Sequence, residues 1–211
     1  SNGLVRTGVN LLAPVIYKNQ IIIATLGPEH KIESYDVFNG KLKWKLKYKQ
    51  KFSKRVGGIK YENSQGNPWG GSSLDSSRGI FFIGTGNPSL YMDGTRRPGS
   101  NKDANSIIAI DLNKRKKIWS FQETRHDLWN LDLASPPILT SLKKDNKIID
   151  VVVSPTKLGN TIILDRVTGK PIFSFPLKRV ETSLVPGEKT APYQPKLTTP
   201  EPFEKIFFEI K

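Results

Sequence analysis

The chain has 211 residues, no cysteine, and 33 Lys+Arg against 19 Asp+Glu, for a formal net charge of +14. That length suits one well-buried domain or a part of a larger one, and the absence of cysteine excludes a disulfide framework and thiolate metal sites. The basic residues are spread over Lys41 to Lys54, Lys114 to Lys117 and Lys143 to Lys147, so a solvated lysine surface is expected and no nucleic-acid partner.

In chain order, Val15-Ile16-Tyr17 and Ile21-Ile22-Ile23-Ala24-Thr25 are apolar, β-branched runs joined by the polar turn Lys18-Asn19-Gln20, which predicts a hairpin. Ile32 to Asp36 follows, then Phe38-Asn39-Gly40-Lys41 and a returning run Lys43-Trp44-Lys45-Leu46; Asn-Gly between two such runs is a strong hairpin signal. No apolar run is long enough to cross a bilayer, and none reads as a secretory leader, so a mature or trimmed chain is expected. No window sustains the i, i+3, i+4, i+7 spacing of an amphipathic helix. Residues 50–68 are polar and Gly-rich and are expected to form a long inter-strand loop, as is Leu90 to Asn105. From Pro176 the chain carries six prolines, Pro176, Pro186, Pro192, Pro195, Pro200 and Pro202, which predicts an extended, irregular tail over 176–211.

A repeat underlies the strands. Ser34 to Trp44 has Asp at its third place, Gly at its seventh and Trp at its eleventh. Ala109 to Trp119 keeps the Asp and the Trp but has Arg115 for the Gly, and Ile163 to Phe173 keeps the Asp and Gly but has Phe173 for the Trp. The copies begin 75 and then 54 residues apart, at or above the about 40–50 residues of a four-stranded propeller blade. The expected fold is all-β, with β-propeller blades of four antiparallel strands.

The chemistry-bearing residues cluster between Trp69 and Asp132. Trp69, flanked by Pro68 and Gly70-Gly71, either offers its face to a planar ligand or is a plain core tryptophan. Gly84-Thr-Gly-Asn-Pro-Ser89 follows a strand but lacks the third glycine and the helix of a dinucleotide-binding turn. Two histidines are too few for a histidine-rich zinc site. The oxygen donors Asn87, Ser89, Asp127, Asn130 and Asp132 suit a hard cation such as calcium, or serve as turn staples. His126-Asp127-Leu-Trp-Asn-Leu-Asp132 sets two carboxylates and a histidine within one heptapeptide, which would support proton abstraction or an Asp-stapled turn.

These motifs resemble the quinoprotein dehydrogenases, the alcohol and glucose dehydrogenases that use pyrroloquinoline quinone (PQQ). The resemblance covers essentially the whole chain. It rests on the Asp-x-x-x-Gly-x-x-x-Trp repeats, Gly84-Thr-Gly-Asn-Pro88, Arg97-Pro-Gly-x-Asn-Lys102, His126-Asp-x-Trp-x-x-Asp132 and the run from Lys157 to Gly169.

The resemblance implies an eight-bladed propeller, of which residues 1–211 would be a single partial domain of about three to four blades, completed by the remaining blades or a partner chain. It implies PQQ with calcium or a lanthanide, a small-molecule alcohol or sugar substrate, a quinone or cytochrome as electron acceptor, and a periplasmic site with membrane association of the full-length protein. By position, Trp69 matches the tryptophan under the planar quinone, Asn87 and Ser89 match cofactor or metal contacts, and Lys157 matches the basic residue at the quinone oxygens. Glu29 is a candidate further metal carboxylate. The usual catalytic base stands directly after the motif tryptophan, where this chain has Asn130, and an amide cannot accept a proton as a carboxylate does. Asp132, ahead of Asp127, is the expected substitute. A non-catalytic propeller scaffold for protein–protein interaction is the alternative that Asn130 favours.

Overall fold

Every helix signal is missing from the sequence, and the computed structural model has no helix among the residues it describes, which are 12–25, 31–48, 66–88 and 92–203 together with the backbone of 53–56 and 59–62. The first sheet joins β1 (Val15–Tyr17), β2 (Gln20–Ala24), β3 (Lys31–Asp36) and β4 (Leu42–Lys47) in sequence order, all antiparallel. β5 (Ser53–Val56) and β6 (Ile59–Glu62) pair antiparallel, with Val56 opposite Ile59. The second sheet runs β7 (Ser72–Asp75), β8 (Ile80–Gly84), β9 (Ser106–Asp111) and β10 (Lys116–Gln122), again between consecutive antiparallel neighbours. The third joins β11 (Ile138–Lys144), β12 (Lys147–Pro155) and β13 (Thr161–Asp165), and a bridge from Leu164 to Pro171 stands where its fourth strand would be. Pro171 has no N–H to give to a ladder, which truncates that strand.

The three sheets stack face to face as blades. Along β8 and β9 the alternation of side chains sends Phe81, Ile83, Ile108 and Ile110 towards the first sheet, where they meet Tyr17, Ile22, Ala24, Ile32 and Trp44. Ile80, Phe82, Ile107 and Ala109 point the other way, against Val152, Ile162 and Leu164 of the third. A sheet covered on both faces reads as a continuous apolar run, as Ile80-Phe-Phe-Ile83 does.

The repeat is the device that joins blade to blade. In each copy the Asp carboxylate staples the hairpin turn: Asp36 Oδ1 accepts from the backbone of Phe38 and Asn39, Asp111 Oδ1 from Lys114, and Asp165 Oδ1 from Val167 and Thr168. The seventh position then turns back in the left-handed region, with φ +68° at Gly40, +53° at Arg115 and +70° at Gly169. Gly is the residue that adopts this conformation without cost, and Arg115 adopts it nonetheless. The strand pairings skip one residue just before each Trp, between Lys117 and Trp119 in β10 and around Lys43 in β4, a bulge that re-aims the indole. Trp44 is thereby set against the second blade's turn, with the Arg115 guanidinium 5.9 Å from its ring centroid. Trp119 covers the third blade's turn so closely that a Cβ on Gly169 would lie 2.5 Å from its ring.

Two expectations change. Residues 50–68 carry the β5–β6 hairpin in place of a plain loop; a short, lysine-rich pair of strands looks polar throughout and hides its alternation. The tail holds a second hairpin of β14 (Leu177–Arg179) and β15 (Tyr193–Pro195), because Tyr193-Gln194 and the residues after Pro176 keep the N–H groups a ladder needs.

Candidate functional site

β8 leaves the middle sheet at Gly84 and continues as Thr85-Gly86-Asn87-Pro88. Thr85 is buried, its hydroxyl donating to the Asp103 carbonyl at 2.8 Å, which anchors the exit of the strand. The Gly86 N–H donates to the Asn67 carbonyl and its own carbonyl accepts from Asn105 N–H, each at 2.9 Å. A Cβ on Gly86 would stand 2.4 Å from Asp132 Oδ1 and 2.5 Å from Trp69 Nε1. Only glycine lets the backbone pass between the indole and the carboxylate.

Four residues far apart in sequence meet at Asp132. Its carboxylate, 4% exposed, accepts on Oδ1 from Trp69 Nε1 at 3.2 Å and from the Asn87 N–H at 2.8 Å, and on Oδ2 from Lys157 Nζ at 2.6 Å. The same ammonium donates to the Asn130 carbonyl at 3.1 Å and lies 6.0 Å from the Trp69 ring centroid. Trp69 keeps 38% of its surface exposed, so it is not a core residue. A carboxylate offers about four acceptor sites, and these three donors leave one.

Asp127 is spent differently. It is fully buried, with Oδ1 accepting from Trp129 N–H at 2.8 Å and Oδ2 from Leu131 N–H at 2.7 Å and Asn105 Nδ2 at 2.8 Å. This is the Asp-stapled turn, and it holds Asn130 exposed at φ +63°. His126, also buried, shares its Nδ1 with the Gly99 carbonyl at 2.8 Å, so Nδ1 carries the proton there. Burial is the main cause that lowers its pKa, and its Nε2 has no hydrogen-bond partner. The arginine of the Arg-Pro-Gly motif, Arg97, is buried beneath the same turn and donates to the Asp127 carbonyl and to Asn101.

One group at the site has no counterpart among the sequence expectations. Glu123, just past the end of β10 and 1% exposed, accepts on Oε1 from Thr156 Oγ1 at 2.9 Å and Asn160 Nδ2 at 2.8 Å. Burial raises its pKa to about 7, partly offset by those two hydrogen bonds. A glutamate between Gln122 and Thr124 at a strand end carries no sign of burial in the sequence, and a reading by motif passes over it.

The chemistry of PQQ, a planar, polyanionic ortho-quinone, can be set against these residues. A half-exposed indole face, an ammonium beside it and an Asn87 side-chain nitrogen that is buried without a hydrogen-bond partner form a donor set that fits such a group. For a hard cation, Asp132 and the Asn87 side-chain oxygen are suitable donors. Among the described residues no three His, Cys, Asp or Glu side chains gather as a metal cluster. Ser89 and Glu29, the other expected metal contacts, lie outside the described residues.

Successive antiparallel sheets, with Trp44 and Trp119 each seated on the next sheet's turn, define a β-propeller of the tryptophan-docked type. The chain belongs to the PQQ family described as the glucose/ethanol/alcohol dehydrogenase beta-propeller domain, whose model matches residues 7–209. It is 30% identical over 173 residues to the glycerol dehydrogenase large subunit of Gluconobacter thailandicus, covering 80% of this chain and 23% of that protein. It is 32% identical over 170 residues to the quinoprotein glucose dehydrogenase of Gluconobacter oxydans, covering 77% and 21%. The quinohemoprotein alcohol dehydrogenase of Comamonas testosteroni shares the fold with a TM-score of 0.65 at 23% identity, over 90% of this chain and 31% of that one. The chain thus spans between a fifth and a quarter of the curated relatives' length.

Proposed function

We propose that the protein containing this chain is a PQQ-dependent dehydrogenase that oxidises an alcohol or an aldose sugar and passes the electrons to a quinone or a cytochrome. The observation that carries this reading is the convergence of Trp69, Asn87 and Lys157 on Asp132, which a protein with no small ligand has no need to build.

PQQ, when bound, supplies the two-electron oxidant that no side chain provides. Trp69 offers a flat apolar floor for it, and Lys157 a positive charge that favours negative charge developing nearby. The side chains of Asn87, Ser89 and Glu29 are the candidates to hold PQQ or its accompanying calcium or lanthanide ion. Asp132 accepts the proton of the substrate hydroxyl on its remaining acceptor site, standing in for the carboxylate whose place Asn130 occupies. Asp127 does not compete for that role, because it is fully buried within its own turn, whereas Asp132 stands beside the partly exposed Trp69 and Lys157.

The test is made on the full-length protein, with PQQ and calcium or a lanthanide added, by following dye reduction with glucose and simple alcohols. Substrate-dependent reduction is expected. Failure to bind PQQ at micromolar concentration would exclude the reading and leave the second one, a non-catalytic propeller scaffold, which the amide at Asn130 favours. The same reading locates the protein in the periplasm, associated with a membrane through parts outside this chain; cell fractionation checks that location.

A further inference from the structure

Lys157 makes the shortest of the three contacts to Asp132, at 2.6 Å, yet it sits on a turn with 38% of its side chain exposed and four flexible bonds of its own. Something must hold that turn. Thr156 N–H donates to the Asn160 carbonyl at 2.9 Å, and Gly159 N–H to the Thr156 carbonyl at 3.0 Å, with Gly159 at φ +78°. These bonds close the turn, which caps the β12–β13 hairpin after the Pro155–Thr161 pair, and the Gly159 carbonyl accepts from Phe203 N–H at 2.8 Å. The tie from the neighbouring blade is Glu123. Its Oε1 takes Thr156 Oγ1 and Asn160 Nδ2 together, at 2.9 and 2.8 Å, with all three residues buried. Glu123 is in turn fixed by its backbone, whose N–H donates to the Asn105 carbonyl at 2.9 Å, and Asn105 also holds Asp127.

We propose that Glu123 is a positioning residue for Lys157: by clasping both ends of the 156–160 turn from the middle blade, it sets where the ammonium stands between Asp132, the Asn130 carbonyl and the Trp69 face. Two features support the assignment. A carboxyl group is costly to bury, and this one is buried with only one oxygen used, since Oε2 has no hydrogen-bond partner; what offsets that cost on the protein side is the pair of bonds to Oε1. The clasp also crosses blades, joining the segment after β10 to the segment after β12, so it fixes parts of the site that no hairpin connects. Protonation on the free Oε2 leaves Oε1 able to accept both bonds, so the clasp survives across the range where Glu123 titrates.

The consequence for cofactor binding rests on the PQQ reading above; the positioning of Lys157 does not. In the full-length protein, Glu123→Leu removes the clasp, Glu123→Gln keeps an amide oxygen in its place, and Thr156→Val removes one of its two donors. The first readout is acetylation of Lys157 by a water-soluble reagent at about pH 8, followed by peptide mass spectrometry and normalised to the other lysines. Glu123→Leu is expected to raise the Lys157 rate about fivefold and Thr156→Val by less, as follows from losing hydrogen bonds of ordinary net strength. Glu123→Gln should stay within about twofold of wild type, because its oxygen still accepts both bonds. The second readout is PQQ affinity, expected to fall about tenfold in Glu123→Leu and to be recovered in Glu123→Gln, a loss typical of outer partners that orient a contact residue. Unchanged Lys157 labelling in both Glu123→Leu and Thr156→Val overturns the proposal, as does a Glu123→Gln protein as loose as Glu123→Leu. If Glu123→Leu does not fold, Thr156→Val and Glu123→Gln decide on their own. Wild-type protein that binds no PQQ would overturn the functional reading, while the labelling result would still judge the clasp.

Discussion

Asp132 is held by donors from three other segments of the chain, and its substitution separates two properties. Asp132→Asn keeps the side chain's shape and one acceptor oxygen but removes the charge that faces Lys157. If Asp132 accepts the substrate proton and Trp69 and Lys157 hold PQQ, as proposed, kcat falls by about a hundredfold or more whereas PQQ affinity changes much less; turnover and cofactor affinity measured on the same preparations check the split. Glu123 makes a second residue-scale statement, about pH. Its carboxyl has a folded pKa of about 7 against an ordinary value of 4.5, so the folded protein binds the proton more tightly than the unfolded chain. The stability linked to it is fully present below about pH 4.5 and is lost as pH rises through about 7. Glu123→Gln removes that penalty, and its stability relative to wild type is expected to increase by on the order of 2 kcal/mol between about pH 5 and about pH 8, as denaturant midpoints at the two pH values would show. A relative stability that does not change with pH would mean that Glu123 does not carry this buried charge.

At the scale of the element, the repeated hairpin turn is where sequence and structure agree most fully. Asp36, Asp111 and Asp165 act within three residues of themselves, and chemistry that local is legible in a string of letters. The Trp69–Asp132 contact is also written in the sequence as two residue types that the family resemblance picks out, but their meeting spans 63 positions and is made by blade packing. The clasp at Glu123 was hidden altogether, because nothing local distinguishes a buried glutamate from a solvated one. The β5–β6 hairpin was hidden for the opposite reason: its local pattern is dominated by charge. The turn also yields a contrast. Gly169→Ala adds a methyl group 2.5 Å from the Trp119 ring at a φ of +70°, so it meets a left-handed backbone cost of about 1–2 kcal/mol and an overpacking cost of about 1–3 kcal/mol. Arg115→Gly, at the same place in the second copy, relieves the backbone while giving up the contact with Trp44, and should move stability by less than about 1 kcal/mol. Thermal melts of the two variants test whether the glycine is needed for its backbone or for the ring above it.

Across the whole molecule, the middle blade differs from its neighbours. Its β8 and β9 are buried on both faces, whereas the first and third sheets leave Ile16, Ile138 and Ile148 exposed, the last at 79%. Charged side chains also cross the second interface: Asp75 receives both Arg78 of its own turn and Arg166 of the third blade, at 2.8 and 3.1 Å, and Arg78 reaches Asp150. Ionic contacts and a second apolar cluster therefore bind the third blade to the second, while the first is held by its apolar cluster, by the stacking of Arg115 on Trp44 and by Tyr17 donating to Asn113.

That two-sided burial has a consequence for how the molecule opens. Blades joined by different contacts open separately where those contacts differ in strength. The amides of β1–β4 and of β11–β13 should exchange with deuterium at different rates, because ionic contacts join the third blade to the second and an apolar cluster with one cation–ring contact joins the first. Uniform exchange across all three sheets would show instead that the blades open as one cooperative body. Because Thr85 and Asn87 continue directly from β8, whose side chains are buried on both faces, opening of the segment that meets Trp69 and Asp132 is expected to be rare.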